Sequence, residues 1–508
     1  MLQSGFIPGD STTNQLLYLY DSFSKALDDG KEVRIVFCDI SKAFDRVWHK
    51  GVLFKLQQMG INGGLLEWFK SYLTNRKQKV VIRGQSSEEV SINAGVPQGS
   101  ILGPLLFIIF INDIITDIRS PMRLFADDTS VYVIVDNPVE SAITLNDDLT
   151  RIENWANRWQ VMFSPKKTEC MTISRLRTRA AIHPNLYLFG ELVKEVPEHK
   201  HLGLTFTKDL TWHSHINEII EKATRRIDIL RGLKNKLDRR SLQTIYFSFI
   251  RPILEYSSIV FCNITDYDSD KLESIQLDAA RTVTGARRGT SHAFIYLETG
   301  WELLSLRRTR QRLCLMYKFV NKLAPSYLYN LLPPRVMALT PYNLRNRNTF
   351  REPPFNTTAH GNSFFPHTVR EWNNLDQSIT SAATLLQFKS KLKGRRTSKP
   401  YYYFTGLRKM QILHAQLRLG CSTLNQHLVD NHLADDRSCH CGHPTESPEH
   451  FLLYCPLFDN ERFITISNLN TRSINTLLFG DETLTPQYNN QIFNVVQLFI
   501  RTTDHLKL

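Results

Sequence analysis

Apolar and polar residues along the first 210 positions follow helix-like and strand-like rhythms in turn. Leu16, Leu17, Tyr20 and Phe23 share one helical face, and Ser11, Thr12 or Thr13 stands where a hydroxyl can cap the first turn. VRIVFCDI at 33–40 has the pattern of a buried strand and runs into Asp39. The segment 51–75 predicts a helix that ends before the basic turn NRKQK, and KVVIRG with EEVSINAGV predicts a strand pair. An apolar helix follows Pro104, and MRLFADDTSVYVIV reads as two β-type runs joined at Asp127-Asp128. Residues 139–160 predict another helix, with Ile143, Leu149, Ile152, Trp155 and Trp159 as core candidates, and ECMTIS and HLGLTF predict further strands. The elements alternate without a regular βαβ repeat, which predicts an α+β fold with a largely antiparallel sheet.

From about residue 212 the strand signal fades. Ile216, Ile219, Ile220, Ala223, Ile227, Leu230, Leu233 and Leu237 keep a helical period, with Lys222, Arg225, Arg226, Arg231, Lys234 and Lys236 between them. Helical patterns continue through SLQTIYFSFIRPILEY, SDKLESIQLDAARTV and LLSLRRTRQRLCLMYKFVNKL. Pro333-Pro334 and the Asn/Arg/Pro-rich stretch 339–358 predict a linker, and LRKMQILHAQLRL predicts a helix in a mixed tail.

Composition narrows the class. The chain has 508 residues, 42% hydrophobic and 22% charged, which suits several globular domains and excludes wholesale disorder or a small disulfide scaffold. The eight scattered cysteines suit a reducing compartment. The longest apolar run, 101–111, falls far short of the roughly 20 residues a membrane span needs. The net charge of +13 is regional: residues 1–210 are neutral, 211–351 carry +11 and 352–508 carry +2. A solvated helical surface accounts for such a stretch as well as a polyanionic partner does, so motifs must decide.

Three carboxylates stand out: Asp39 at a strand end, and Asp127 and Asp128 at a hairpin tip. Taken singly, each is an ordinary turn or strand-end residue. Adjacent carboxylates repel unless a cation neutralises them, and hard oxygen ligands brought together suit Mg²⁺.

The flanking strings FCDISKAFDRVWH, AGVPQGSILGPLLFIIFIND and LFADDTSVY occur in that order. They resemble the three central palm motifs of reverse transcriptases from non-LTR (LINE-type) retrotransposons of the jockey/chicken-repeat kind. QSGFIPGDSTTNQ resembles the motif just upstream, and WANRWQVMFSPKKTECMTIS and HKHLGLTFTKDLTWHSHI resemble the two downstream. The resemblance spans residues 3–217 and continues more loosely through FIRPILEYSSIVF. Six motifs in one order leave chance agreement negligible.

The resemblance implies a right-hand polymerase. Residues 1–30 would be a remnant of the fingers, 31–210 the palm, 211–332 a basic helical thumb, 333–400 a linker and 401–508 a zinc-bearing tail. It implies RNA-directed DNA synthesis from dNTPs on an RNA template and a DNA primer, with two Mg²⁺ ions (or Mn²⁺) held by Asp39, Asp127 and the Ile40 carbonyl, and with Asp128 as a third acidic residue. Phe44 would be the steric gate against a ribose 2′-OH, although by pattern alone it is a core aromatic. Pro97, Gln98 and Gly99 would contact the incoming nucleotide and template, Lys167 (or its neighbour Lys166) would protonate pyrophosphate, and Gly203 would turn in the primer grip. Lys222, Arg225, Arg226 and Lys234 would meet nucleic-acid phosphates. Ile7 and Asp10 replace basic residues usual in the family, and the fingers motifs usual before this string are not in the sequence, so a nucleic-acid-binding remnant is the alternative. An RNA-dependent RNA polymerase is disfavoured by FADD in place of GDD and by Phe44. An intracellular setting, nuclear or cytoplasmic, is the expectation.

A second constellation is Cys439, Cys441, His450 and Cys455, spaced C-x-C-x8-H-x4-C. Three thiolates and an imidazole can close a tetrahedral Zn²⁺ site, and unliganded cysteines are the competing reading on spacing alone. The surrounding CG…E…HFLLYCP resembles the C-terminal Cys-Cys-His-Cys segment of the same retrotransposon group. In SFFPHTVREWNNL, core packing of Phe364, Phe365 and Trp372 is the expectation.

Overall fold

The computed structural model describes residues 2–175, 182–338, 348–393 and 399–507. Parts of the expected 333–400 linker, 339–347 and 394–398, lie outside the described residues. The chain divides into two compact units, Met1–His215 with Ile259–Ile264 and Gln311–Phe388, and Ile216–Ser258 with Thr265–Arg310 and Lys389–Leu508. The segments read as thumb and linker are thus each split between the two, whereas the tail 401–508 lies wholly in the second.

In the first unit α1 (Thr12–Asp28) is capped by Ser11, whose hydroxyl accepts the Asn14 N–H at 3.2 Å. Every residue of β1 (Glu32–Cys38) is buried. The expected single helix over 51–75 is two, α2 (His49–Gln58) and α3 (Gly63–Leu73), because Gly60 turns the chain at φ +88°.

The strands that follow are β2 (Arg76–Gln78), β3 (Val81–Ile82), β4 (Gln85–Ser86) and β5 (Val90–Ile92). KVVIRG does not pair with EEVSINAGV. Instead β3 pairs with β4 and β2 pairs with β5, because Arg83 and Gly84, both at positive φ, close a tight inner turn. Next come α4 (Leu102–Ile111), β6 (Met122–Phe125), β7 (Asp128–Val135), α5 (Pro138–Trp159) and β8 (Glu169–Ile173). On α5, Leu149, Ile152 and Trp155 are buried as expected, whereas Ile143 is 58% exposed. The buried stripe runs through Ala142, Leu145, Leu149, Ile152 and Ala156, and Ile143 falls beside it.

The short strands β9 (Tyr187–Leu188), β10 (Glu191–Leu192), β11 (Lys194–Glu195), β12 (Glu198–His201) and β13 (Leu204–Thr207) complete the β structure. The main sheet has the order β11-β8-β1-β7-β6, with β1 central and only β11–β8 parallel. Residues of α2, α4 and α5 pack with this sheet in one core that includes Val36, Val52, Phe107, Val131 and Ile152. Later segments join the same unit: the Asp28 carboxylate accepts the Asn356 and Thr357 N–H groups at 2.8 and 2.7 Å. The helix Phe364–Asn373 buries Phe364, Phe365 and Trp372, as expected.

The second unit is helical among its described residues. The helices Arg408–Arg418 and Pro486–Thr503 meet over a core of Leu413, Leu417, Ile492, Val496 and Phe499. Two buried guanidiniums, Arg239 and Arg418, each reach Glu298 Oε1 at 2.6 Å. No helix among the described residues is long and apolar enough to cross a membrane.

Candidate functional site

The last registered pair between β1 and β7 is Cys38 with Thr129, so the next step of the ladder sets Asp39 opposite Asp128. Phe125 and Asp128 close the β6–β7 hairpin, leaving Ala126-Asp127 as its two-residue tip. The sheet therefore gathers the three carboxylates that sequence proximity separates. The Asp39 carbonyl accepts the Ser164 N–H at 2.8 Å, and its N–H donates to the buried Thr168 hydroxyl at 3.3 Å. The Asp39 Oδ2 atom is buried and has no hydrogen-bond partner. Of the two lysines in the KKT string, Lys167 places its ammonium 4.0 Å from that oxygen.

The electrostatics suit a cation. Burial, then the charge on Asp39, holds Asp127 above its ordinary value. Partial desolvation, followed by the charges of Asp127 and Asp39, pushes Asp128 up to about 6, although its exposed side chain lets solvent screen part of the effect. A carboxylate with a buried oxygen that accepts no hydrogen bond, beside two that resist ionisation, fits divalent ions with hard oxygen ligands. The Ile40 carbonyl is not used in its bridge to Phe163, since the flanking bonds are Ser41 N–H to Met162 O and Ser164 N–H to Asp39 O.

Phe44 is half-buried on a 3₁₀ turn, stacked on Phe107 at 4.4 Å with the Phe6 ring against it at 6.1 Å. The loop carrying Pro97, Gln98 and Gly99 is tied to that turn. The Val96 N–H donates to the Phe44 carbonyl at 2.9 Å, and Gln98 Nε2 donates to Asp45 Oδ1 at 2.7 Å. Gly99 sits at φ +77°, and Gly95 lies so close to the turn that a Cβ would stand 2.7 Å from the Asp45 carbonyl. Asp45 was not singled out by sequence. Its place in DRVW, after the Phe44 motif, was the available signal. Gly203 forms the β12–β13 turn with Leu202, both at positive φ.

The expected phosphate-binding residues lie on or after the helix His213–Gly232. Lys222 pairs with Glu218 at 3.4 Å, Arg225 pairs with Glu221, and Arg226 donates to the Phe249 carbonyl at 2.8 Å while lying over its ring. Burial, then nearby Arg408, lowers the pKa of Lys234. The regional surplus is therefore partly engaged by the helices themselves.

The second cluster brings together all four expected ligands. Their donor atoms lie within 4.8 Å of one another, with Cys439 Sγ 3.7 Å from Cys455 Sγ and Cys441 Sγ 3.2 Å from His450 Nε2. Metal–sulfur bonds of about 2.3 Å give tetrahedral edges of about 3.8 Å, so the donor set fits Zn²⁺. A π-helical turn, His450–Tyr454, converts the H-x4-C spacing into proximity, closing with the Cys455 N–H on the His450 carbonyl at 2.7 Å. Burial, reinforced by the Cys441 and Cys455 thiols, pushes the Cys439 thiol up to about 12. Sequence reading did not single out Glu446 and His505 beside this cluster. The Cys439 thiol donates to Glu446 Oε1 at 3.8 Å, and His505 Nε2 lies 2.8 Å from the same oxygen.

Residues 1–206 match the reverse transcriptase (RNA-dependent DNA polymerase) family model. The probable RNA-directed DNA polymerase from transposon BS of Drosophila melanogaster is 30% identical over 325 residues, covering 61% of this chain and 35% of that protein. The corresponding X-element protein of the same species is 29% identical over 347 residues, 66% of this chain and 37% of that protein. The polymerase from its mobile element jockey is 30% identical over 296 residues, 56% of this chain and 32% of that protein. The chain thus spans about a third of the length of these curated relatives. Residues 1–206 thus match a reverse transcriptase domain, and the similarity to RNA-directed DNA polymerases of mobile elements extends beyond it.

Proposed function

We propose that this chain carries out RNA-templated DNA synthesis with the fold of a right-hand polymerase, the β1–β7 sheet being its palm and the helices after His213 its thumb. The observation that carries this reading is the convergence of Asp39, Asp127 and Asp128, the latter two held above the ordinary carboxylate range. Bound at Asp39, Asp127 and the Ile40 carbonyl, two Mg²⁺ ions would lower the pKa of the primer 3′-hydroxyl and stabilise the leaving pyrophosphate.

The protein's own groups then have separate tasks. The primer 3′-hydroxyl gives up its proton to solvent water, and its oxygen bonds to the α-phosphorus as the bond to the bridging α–β oxygen breaks. Lys167, beside Asp39, donates a proton to the departing pyrophosphate. Phe44, backed by Phe107, excludes a ribose 2′-OH, and Gln98, fixed by Asp45, orients the incoming dNTP. Lys222, Arg225, Arg226, Lys234 and the Gly203 turn hold the template–primer duplex. The four-ligand cluster holds one Zn²⁺ as a structural staple.

The test is dNTP incorporation by the purified chain on an RNA template with a DNA primer, beside Asp127→Ala. Mg²⁺-dependent extension lost in the variant is the expected result. Duplex binding without extension would instead leave a nucleic-acid-binding remnant, and preference for rNTPs would remove the role of Phe44. Bound zinc near one per chain, falling in Cys441→Ser, is expected at the second cluster, and an unchanged metal content would overturn it.

A further inference from the structure

The β6–β7 tip has an unusual residue at an important place. Ala126, immediately before Asp127, lies at φ +55°, a left-handed conformation that hairpin tips normally give to glycine. A β-carbon makes this backbone unfavourable, so neighbouring structure must hold it.

The holding group is Gln3. Its side chain is 4% exposed, and its Oε1 accepts both the Ala126 N–H at 2.9 Å and the Gly5 N–H at 2.8 Å. The segment itself is clamped to β6, with the Ser4 N–H on the Leu124 carbonyl at 2.9 Å and the Leu124 N–H on the Leu2 carbonyl at 3.0 Å. The approach is close enough that a Cβ on Gly5 would stand 2.3 Å from the Ala126 nitrogen. Two separate observations thus point at one atom: a buried carboxamide oxygen satisfies the Ala126 nitrogen, and a glycine leaves room beside it.

We infer that Gln3 is a positioning residue for the Asp127 carboxylate: it fixes Ala126 in the left-handed conformation and thereby sets where Asp127 meets Asp39. The inference rests on the polymerase reading for its kinetic consequence, but its geometric consequence is metal affinity at the three carboxylates. Gln3 makes no contact with substrate in this role. It acts through the backbone of the residue before the ligand.

Gln3→Met tests it, since methionine fills similar volume without an acceptor. Single-nucleotide extension and Mn²⁺ binding followed by electron paramagnetic resonance are measured on the full chain, with thermal unfolding as a check on the fold. Displacing a reacting group by a fraction of an ångström to an ångström costs about ten- to a hundredfold in rate. The expected result is therefore a kcat about tenfold or more lower. KM for dNTP should stay within about twofold, since this interaction bears on the transition state more than on nucleotide binding. Mn²⁺ binding should weaken in parallel. Ala126→Gly relieves the left-handed strain and should recover part of the lost kcat and Mn²⁺ affinity in the Gln3→Met background. Should Gln3→Met lower the melting temperature too far to assay, Gly5→Ala, whose Cβ drives into the same backbone, should weaken Mn²⁺ binding in its place.

Wild-type kcat and Mn²⁺ affinity in a folded Gln3→Met would overturn the inference, as would a loss that Ala126→Gly leaves untouched. If the wild-type chain extends no primer but Gln3→Met still weakens its Mn²⁺ binding, the polymerase reading falls and the positioning role stands.

Discussion

At the β6–β7 tip, Asp127 and Asp128 face Asp39, and both are held above the ordinary carboxylate range. In the other compact unit, Glu298 is buried between Arg239 and Arg418, and against the penalty of burial the two guanidiniums bring it down to about 2. Both settings desolvate a carboxylate. One surrounds the carboxylate with two guanidiniums of the chain, and the other sets only the Lys167 ammonium, 4.0 Å from Asp39, beside three carboxylates. The paired group has no further capacity for a ligand and acts as a structural tie. The unsatisfied group destabilises its own ionised form, a tension that a divalent ion relieves.

The largest effect that would break this contrast is on chemistry. Asp127→Ala should lower primer extension by at least about a thousandfold, because the proposed reaction would lose a metal ligand, while the melting temperature stays level or rises. A variant that retains activity would put the centre elsewhere.

Glu298→Gln should do the reverse. It leaves two buried guanidiniums short of their counter-charge and should cost about 3–5 kcal/mol in urea unfolding of the second unit. The pH dependence has a definite sign. Because Glu298 is depressed from 4.5 to about 2, its contribution is fully present above pH 4.5 and is lost as pH falls toward 2. The variant should therefore show a flatter acid limb in that window.

Next comes the pH dependence of activity. With Asp128 at about 6 and Asp127 also raised, Mg²⁺-dependent extension should fall as pH drops below about 6, by up to about tenfold per unit for each proton taken up. Higher Mg²⁺ should move that limb to lower pH, since metal and proton compete for the same oxygens. A limb indifferent to Mg²⁺ would separate the titration from the metal site.

The smallest effect is the stability of the unliganded tip. Asp128 is raised from 3.8 to about 6, so its neutral form stabilises the fold fully below 3.8, and that contribution is lost as pH rises through 6. Asp128→Asn should therefore raise the melting temperature above pH 6 without divalent ions, and the gain should vanish below about pH 4. Solvent screening at this exposed side chain keeps the gain under about 1 kcal/mol. Added Mg²⁺ should erase it.

Local order was legible in the residues themselves. The α1 cap at Ser11, the buried stripe through Leu149, Ile152 and Trp155, the FADD turn and the spacing of the four Cys/His ligands all depend on residues a few positions apart. Capping, helical period and turn chemistry act over that range, so they are written in short windows. Failures began where two patterns of similar appearance compete. KVVIRG and EEVSINAGV both read as strands, but the positive φ of Arg83 and Gly84 chose different partners, and Ile143 sat one step off a stripe that packing alone defines.

What only the tertiary structure decided are the contacts that join distant positions. Gln3 meets Ala126 across 123 residues, and Arg418 meets Glu298 across 120. Residues 356–357, read as linker, satisfy the carboxylate of Asp28. No periodicity records such pairs, because a hydrogen bond or ion pair depends on where two backbones arrive after the core has closed. The sequence determined which carboxylates, thiols and imidazole stand in the motif strings and at the C-x-C-x8-H-x4-C spacing. The sheet register decided that Asp39 comes opposite Asp128, next to Asp127 at the hairpin tip.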